Sequence, residues 1–197
     1  MNNELHTGPL GEASQYAEGY SPERLFPMPR AEGRLAVGLM ATPDCYGQDI
    51  WTGFEFSWLQ EKGKPEVAVL RLTVPAFCSH IVESKSMKLY LNGFAQTRFD
   101  SISAVKERLT EDLGSAFGGA VGVELLALAD SSLGVSELQG ECLDELDVEI
   151  TEYERNPDLL ALTARDGTDD GPVTQVLTTH LFRSLCPVTA QPDWASV

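Results

Sequence analysis

The sequence predicts an α+β fold in which an antiparallel sheet carries two helices on one face. Three observations lead there: two adjoining runs with a two-residue apolar period, two later runs with a helical period, and a further two-residue run after those. The order strand, strand, helix, helix, strand suits a sheet built from hairpins rather than from parallel crossovers.

Residues 1–48 are rich in Gly, Pro and polar side chains, and Pro27, Pro29 and Pro43 discourage long elements, so this stretch reads as an N-terminal arm with loops. Over residues 50–59, Phe54, Phe56 and Trp58 alternate with Glu55 and Ser57, which predicts a half-buried strand. Glu61-Lys62-Gly63-Lys64-Pro65 makes a turn. Residues 66–74 then place Ala68, Leu70, Leu72 and Val74 on one face of a second strand, completing a hairpin. In residues 83–94, Met87, Tyr90, Leu91 and Phe94 fall on one helical stripe, with Ser84, Lys85, Lys88 and Asn92 opposite. A second helix covers about 101–117, with Ile102, Val105, Leu109 and Leu113 inward, Asp100 or Ser101 as its cap, and Gly118-Gly119 as its stop. A third strand follows from Val121 to about Leu128.

These elements make residues 49–130 a first unit. Residues 131–173 are acidic and broken by Gly and Pro, which predicts a connector with short strands at 147–150 and 159–163. Residues 174–197 begin a second unit with a strand at 174–185. After it Cys186 to Trp194 turn away, and that strand is expected to have no partner.

Fourteen basic residues against thirty acidic ones give a formal charge of −16, which argues against a general binder of nucleic acid or of anionic membranes. Any anionic ligand needs a local basic patch, and Lys85, Lys88, Arg98, Lys106 and Arg108 supply one. With no run of eighteen apolar residues and no signal-peptide pattern at the start, a cytoplasmic protein is expected. Cys45, Cys78, Cys142 and Cys186 are scattered without a CxxC pair, so neither a zinc site nor a disulfide framework is expected. The isolated His6, His80 and His180 suggest no metal site either.

Two stretches carry possible chemistry. Glu83 stands where a helix begins, so its carboxylate can be held oriented there, and Ser84 and Lys85 can meet an anion at the helix start. A surface helix with solvated lysines is the plainer reading of the same residues. Cys186 leaves a strand into a Pro-bounded loop, and Asp193 returns seven residues later, near enough to exchange a proton with whatever the thiol attacks. Buried against apolar Trp194, the Asp193 carboxyl would keep that proton. A small buried thiol and a turn aspartate explain the same pattern without catalysis. No GxGxxG follows a strand and no P-loop motif occurs.

Taken together, Glu83-Ser84-Lys85-Ser86-Met87-Lys88-Leu89-Tyr90-Leu91-Asn92 and Leu185-Cys186-Pro187-Val188-Thr189-Ala190-Gln191-Pro192-Asp193-Trp194 resemble the signature helix and catalytic loop of the NADPH-dependent 7-cyano-7-deazaguanine reductases of queuosine biosynthesis, in their long two-module form. Two long matches in the right order are far more specific than one. The similarity extends through the Trp51 to Trp58 strand and the Leu143 to Ile150 segment.

The resemblance implies a tunnelling fold and reduction of a nitrile to an aminomethyl group by two successive hydride transfers from NADPH. It implies that Cys186 attacks the nitrile carbon to give a thioimide and that Asp193 delivers the proton to nitrogen. It further implies that Glu83, with Val82 and Ser84 beside it, binds the guanine-like edge, and that Ser84 and Lys85 contact NADPH, with Lys88 as an extra phosphate partner. Assembly as a homodimer or larger through sheet edges is expected, with no direct nucleic-acid or membrane partner. The family's second module continues past the catalytic loop and supplies a His-Glu pair that this sequence lacks, so the 197-residue chain alone is expected to be weak or inactive. A non-catalytic purine- or pterin-binding module of the same fold is the alternative, followed by an interaction protein with an incidental thiol.

Overall fold

A computed structural model describes residues 19–40, 46–130, 134, 136–153, 156–159, 174–186 and 189–197. The chain divides into two compact units, Met1–Leu133 and Gly134–Val197. His6, Cys45 and residues 160–163 lie outside the described residues.

In the first unit the elements run β1 (Pro27–Pro29), α1 (Arg30–Ala36), β2 (Gln48–Gln60), β3 (Pro65–Pro75), β4 (His80–Val82), α2 (Ser84–Asn92), β5 (Arg98–Phe99), α3 (Ile102–Phe117) and β6 (Gly122–Leu126). Four strands form one sheet in the order β5-β2-β3-β6. The β2–β3 and β3–β6 pairs are antiparallel, as the hairpin pattern predicts, whereas the short edge strand β5 runs parallel to β2. Residues 19–40, read from sequence as arm and loops, contain β1, which pairs with β4, and the 7-residue helix α1, about two turns long. Short Pro-flanked elements of this kind have too little periodicity to register as a pattern. Arg30 fixes them, with its guanidinium on Asp49 and on the His80 carbonyl, while Arg34 donates to the Ala76 carbonyl at 2.8 Å.

One core fills the space between sheet and helices. Ala68, Leu70, Leu72 and Val74 of β3 meet Met87, Tyr90 and Phe94 from α2 and its 3-10 extension, and Val105, Leu109, Leu113 and Phe117 from α3. Both helices therefore cover the same face of β3. The α3 stripe is shifted one turn from expectation: Ile102 is half exposed and Phe117 is fully buried in its stead. Ser101 caps α3 by accepting from the Ala104 N–H at 3.1 Å, and Gly118 closes it in the left-handed region at φ 68°.

β2 departs from simple alternation. Its register against β3 slips between Gly53 and Phe56, a bulge with one extra residue. Phe56 and Trp58 keep the inward positions that their spacing predicts, but Phe54, expected beside them, is 65 % exposed. One added residue turns every preceding side chain to the other face. Trp51 thereby faces the core and meets Phe117 edge-on at 6.3 Å.

A partly buried polar node ties the N-terminal segment to the helices. Tyr20 and Tyr90 both donate to Asp112 Oδ2, at 2.5 and 2.8 Å, and Arg108 lies over the Tyr20 ring. Burial first, and the Asp112 carboxylate second, push both phenols well above their ordinary range.

Among its described residues the second unit has four short strands, β7 (Glu141–Cys142), β8 (Leu177–Thr178), β9 (Phe182–Leu185) and β10 (Pro192–Ala195). β7 pairs with β8 in parallel, and β9 pairs with β10 as an antiparallel hairpin. Two expectations are corrected here. The single strand at 174–185 is broken, because Thr179 leaves the ladder to bond Asp144 and Val197, and its last segment is paired after all, by β10. Residues 147–150, alternating in sequence, form no strand. Among the described residues no helix is long and apolar enough to cross a membrane.

Two outcomes test this account of the first unit. Gly118→Ala forces a left-handed alanine, which costs about 1–2 kcal/mol, and sets its Cβ 2.1 Å from Ser79 Oγ; the urea midpoint should fall by at least that equivalent. Because the folded phenols resist ionisation, the stability they contribute is present below the unfolded tyrosine pKa of about 10 and is lost as pH rises above it. Urea titrations from pH 8 to 11 should show this alkaline loss, and Tyr90→Phe should make it shallower; equal slopes would exclude Tyr90 as its source.

Candidate functional site

Glu83 is the N-cap of α2, and its carboxylate reaches forward into the first turn. Oε1 accepts from the Lys85 N–H at 2.8 Å and Oε2 from the Ser86 N–H at 2.7 Å. A carboxylate suits this place because helix-start N–H groups lack partners and carry partial positive charge. Ser86 completes the lock. Its hydroxyl donates to the Glu83 carbonyl at 2.7 Å and accepts from the Phe26 N–H at 3.1 Å, while the Glu83 N–H donates to the Phe26 carbonyl. The residues just before β1 and the residue just after β4 are thus joined at one buried point, where Glu83 is 7 % exposed and Ser86 fully enclosed. Ser86 was not singled out in the sequence, and a hydroxyl three residues after a capping carboxylate reverses the familiar capping-box order, so that pattern does not announce it.

This geometry changes how an anion can be held at α2. Two of the first-turn N–H groups already serve Glu83, so they are not the donors that the helix-start argument supposed. The side chains remain. Ser84 and Lys88 are exposed and Lys85 is half-buried. A cleft of about 360 Å³ opens between α2 and the bulged part of β2, with Trp51, Gly53 and Glu55 on one side and Ser84, Lys88 and Asn92 on the other. Lys85 lines a smaller hollow of about 230 Å³ beside it, and Lys88 and Asn92 line both. A hydroxyl and one ammonium group on a partly apolar cleft, with a second ammonium group lining the adjoining hollow, are donors of the kind that a phosphate-bearing ligand needs. Val82, by contrast, has its side chain in the core and can offer a ligand only its backbone.

In the second unit, Cys186 and Asp193 occupy one hairpin. Leu185 pairs with Pro192 and Ser184 with Asp193, while the Cys186 N–H donates to the Gln191 carbonyl at 2.9 Å. Cross-strand partners share a face, so Cys186 and Asp193 stand on the same face as diagonal neighbours. Ala190 turns the loop with φ 55°, and its N–H returns to the Cys186 carbonyl at 2.9 Å. A left-handed alanine costs about 1–2 kcal/mol. Cys186 is half-buried, but Asp193 and Trp194 are both exposed, and the expected burial of the carboxyl against the indole is absent. Cys78 is enclosed in the first unit, where burial pushes its thiol up and makes it a poor nucleophile. The two groups of predicted site residues lie in different units: Val82, Glu83, Ser84 and Lys85 in the first, Cys186 and Asp193 in the second.

Sequence comparison gives a consistent result. Residues 16–125 match the family model described as nitrile reductase, 7-cyano-7-deazaguanine-reductase N-term. The chain is 47 % identical over 190 residues to the NADPH-dependent 7-cyano-7-deazaguanine reductase of Burkholderia orbicola (strain MC0-3), covering 96 % of this chain and 68 % of that protein. It is 47 % identical over 205 residues to the protein of the same name from Acidovorax ebreus (strain TPSY), covering all of this chain and 71 % of that one.

Replacing Glu83 separates the cap from any other role. Glu83→Ala should lower stability by about 1–2 kcal/mol, with Glu83→Gln losing less because one acceptor oxygen remains. Denaturant titration of both variants reads this directly, and an unchanged midpoint in Glu83→Ala would mean that the cap contributes nothing.

Proposed function

The chain belongs to the nitrile reductase family of 7-cyano-7-deazaguanine reductases, and from that membership we infer that it is an NADPH-dependent oxidoreductase that reduces the nitrile of 7-cyano-7-deazaguanine. The aminomethyl compound formed belongs to the route to queuosine in tRNA. The observation that carries the mechanism is the hairpin, which sets a thiol and a carboxyl on one face.

We propose that Cys186 adds to the nitrile carbon. The sulfur forms a C–S bond as one C–N π bond breaks, nitrogen takes a proton, and a thioimide results. A nitrile accepts hydride poorly, whereas the thioimide carbon is a better acceptor and is fixed in position. Asp193, on the same face and open to solvent, delivers the proton to nitrogen and regains it from water. When bound, NADPH supplies the two hydrides in succession. Collapse of the first reduced adduct breaks the C–S bond, returns the Cys186 thiolate and leaves an imine, whose carbon accepts the second hydride as its nitrogen takes a proton.

Recognition falls to the start of α2. Each carboxylate oxygen of Glu83 has capacity beyond its one N–H, so the group that caps the helix can also accept from the two donors of a guanine-like edge, with Ser84 and the Val82 backbone alongside. Ser84 and Lys85 hold cofactor phosphate through their side chains, with Lys88 beside them. We assign the first unit to the tunnelling fold, supported by its hairpin, two helices on one face and closing strand. Assembly as a homodimer or larger would extend the sheet at edge strand β6, in the cytoplasm.

Incubation of the reduced chain with 7-cyano-7-deazaguanine and intact-mass measurement should give a gain of one substrate mass, mapped to the Cys186 peptide and absent in Cys186→Ala. Asp193→Asn should retain binding and lower NADPH oxidation by about 10²–10⁴-fold, the usual range for a lost general acid. Substrate binding that survives Cys186→Ala with no adduct in the parent chain would favour a non-catalytic heterocycle-binding module.

A further inference from the structure

Within the second unit, three side chains of different chemistry converge away from the hairpin loop. The parallel pairing of β7 with β8 sets Cys142 beside Thr178, and continuing both chains by two residues brings Asp144 beside His180. The thiol, carboxylate and imidazole ligand atoms all lie within 4.8 Å of one another. We propose that Cys142, Asp144 and His180 form a divalent-cation site of the zinc class, which clips β7 to the base of the β9–β10 hairpin.

The surroundings are organised as metal ligands require. Asp144 is held by Thr179 Oγ1 at 2.6 Å and by the His180 N–H at 3.2 Å. His180 Nδ1 lies 2.7 Å from Ser196 Oγ, which sets the orientation of the ring, and partners of that kind orient ligating histidines. Around one zinc ion, with bonds of about 2.0–2.3 Å, ligand atoms stand about 3.5 Å apart. Closing from the present spacing needs a shift on the order of 1 Å, which the exposed Cys142 and His180 can supply by rotation. One sulfur, one nitrogen and one oxygen donor select zinc over magnesium or calcium, which prefer oxygen throughout. Three protein ligands leave a fourth position for water. Glu141, Glu145, Asp147 and Glu149 surround the ligands in sequence, in a chain of charge −16, and raise the local concentration of cations.

The clip has a structural consequence. Thr179 and Val197 exchange both backbone hydrogen bonds at the open end of the hairpin, and His180 and Ser196 meet next to them. A metal on His180 therefore fixes the base of β9, the strand that leads into Cys186. It belongs to the scaffold and has no part in the nitrile chemistry, so it stands whether or not that reaction does.

Zinc titrated into the chelator-treated, reduced chain against a chromophoric chelator should show one tight equivalent. Cys142→Ser and His180→Ala should each weaken it by at least about tenfold, a scale that even outer-shell partners reach, while Cys186→Ala should leave it unchanged. Cobalt in place of zinc should give a thiolate charge-transfer band that disappears in Cys142→Ser and persists in Cys186→Ala. Cys142 is exposed, so far-UV circular dichroism should show its variant folded. Affinity equal in all variants, a band that follows Cys186, or no thiolate band would overturn the proposal.

Discussion

The start of α2 depends on one carboxylate. Without Glu83 the first turn would present its N–H groups to a buried junction with no acceptor, a position that folded proteins avoid. With it, the turn is anchored to β4 on one side and, through Ser86 and Phe26, to the N-terminal segment on the other. The position of α2 then settles where Met87, Tyr90 and Phe94 enter the core, and it fixes one wall of the cleft that Ser84 and Lys88 share with Trp51. Packing and capping meet at the same residue, which is also the one proposed to bind the heterocycle.

The second unit positions Cys186 and Asp193 differently. Cys186 and Asp193 are set by hairpin register rather than by burial, and the loop between them holds Ala190 in a conformation that glycine adopts more readily. A register-based arrangement keeps the two groups on one face but leaves the carboxyl in solvent. The proton transfer proposed for Asp193 therefore rests on proximity and exchange with water.

Much of this was legible in the residues. The β2–β3 hairpin, both long helices and the inward face of β3 follow from period alone, because each buries one face on a common core. Period could not reveal the bulge at Gly53 to Phe56, since an added residue in one strand leaves no mark unless the partner's register is known; hence Phe54 was placed inside and lies outside. β1, α1 and β10 escaped notice because elements of three to seven residues take their stability from partners distant in sequence. At the site, two motifs singled out the residues whose roles are proposed, but the occupation of the Lys85 and Ser86 N–H groups by Glu83 was not legible, and it leaves side chains rather than these two backbone groups for the proposed anion contacts. The convergence of Cys142, Asp144 and His180 was likewise hidden, because neither spacing nor a CxxC pattern announces a parallel pairing across more than thirty residues.

In the proposed role, Glu83 holds the helix and the heterocycle at once. Amide hydrogen exchange and 15N chemical shifts of Lys85 and Ser86, followed as 7-cyano-7-deazaguanine is added, address it most directly. Both amides should shift on binding, because the carboxylate they bond to acquires new donors, and both should stay protected, because the cap is retained. Shifts that leave these two amides untouched, or a loss of their protection on binding, would contradict the dual role.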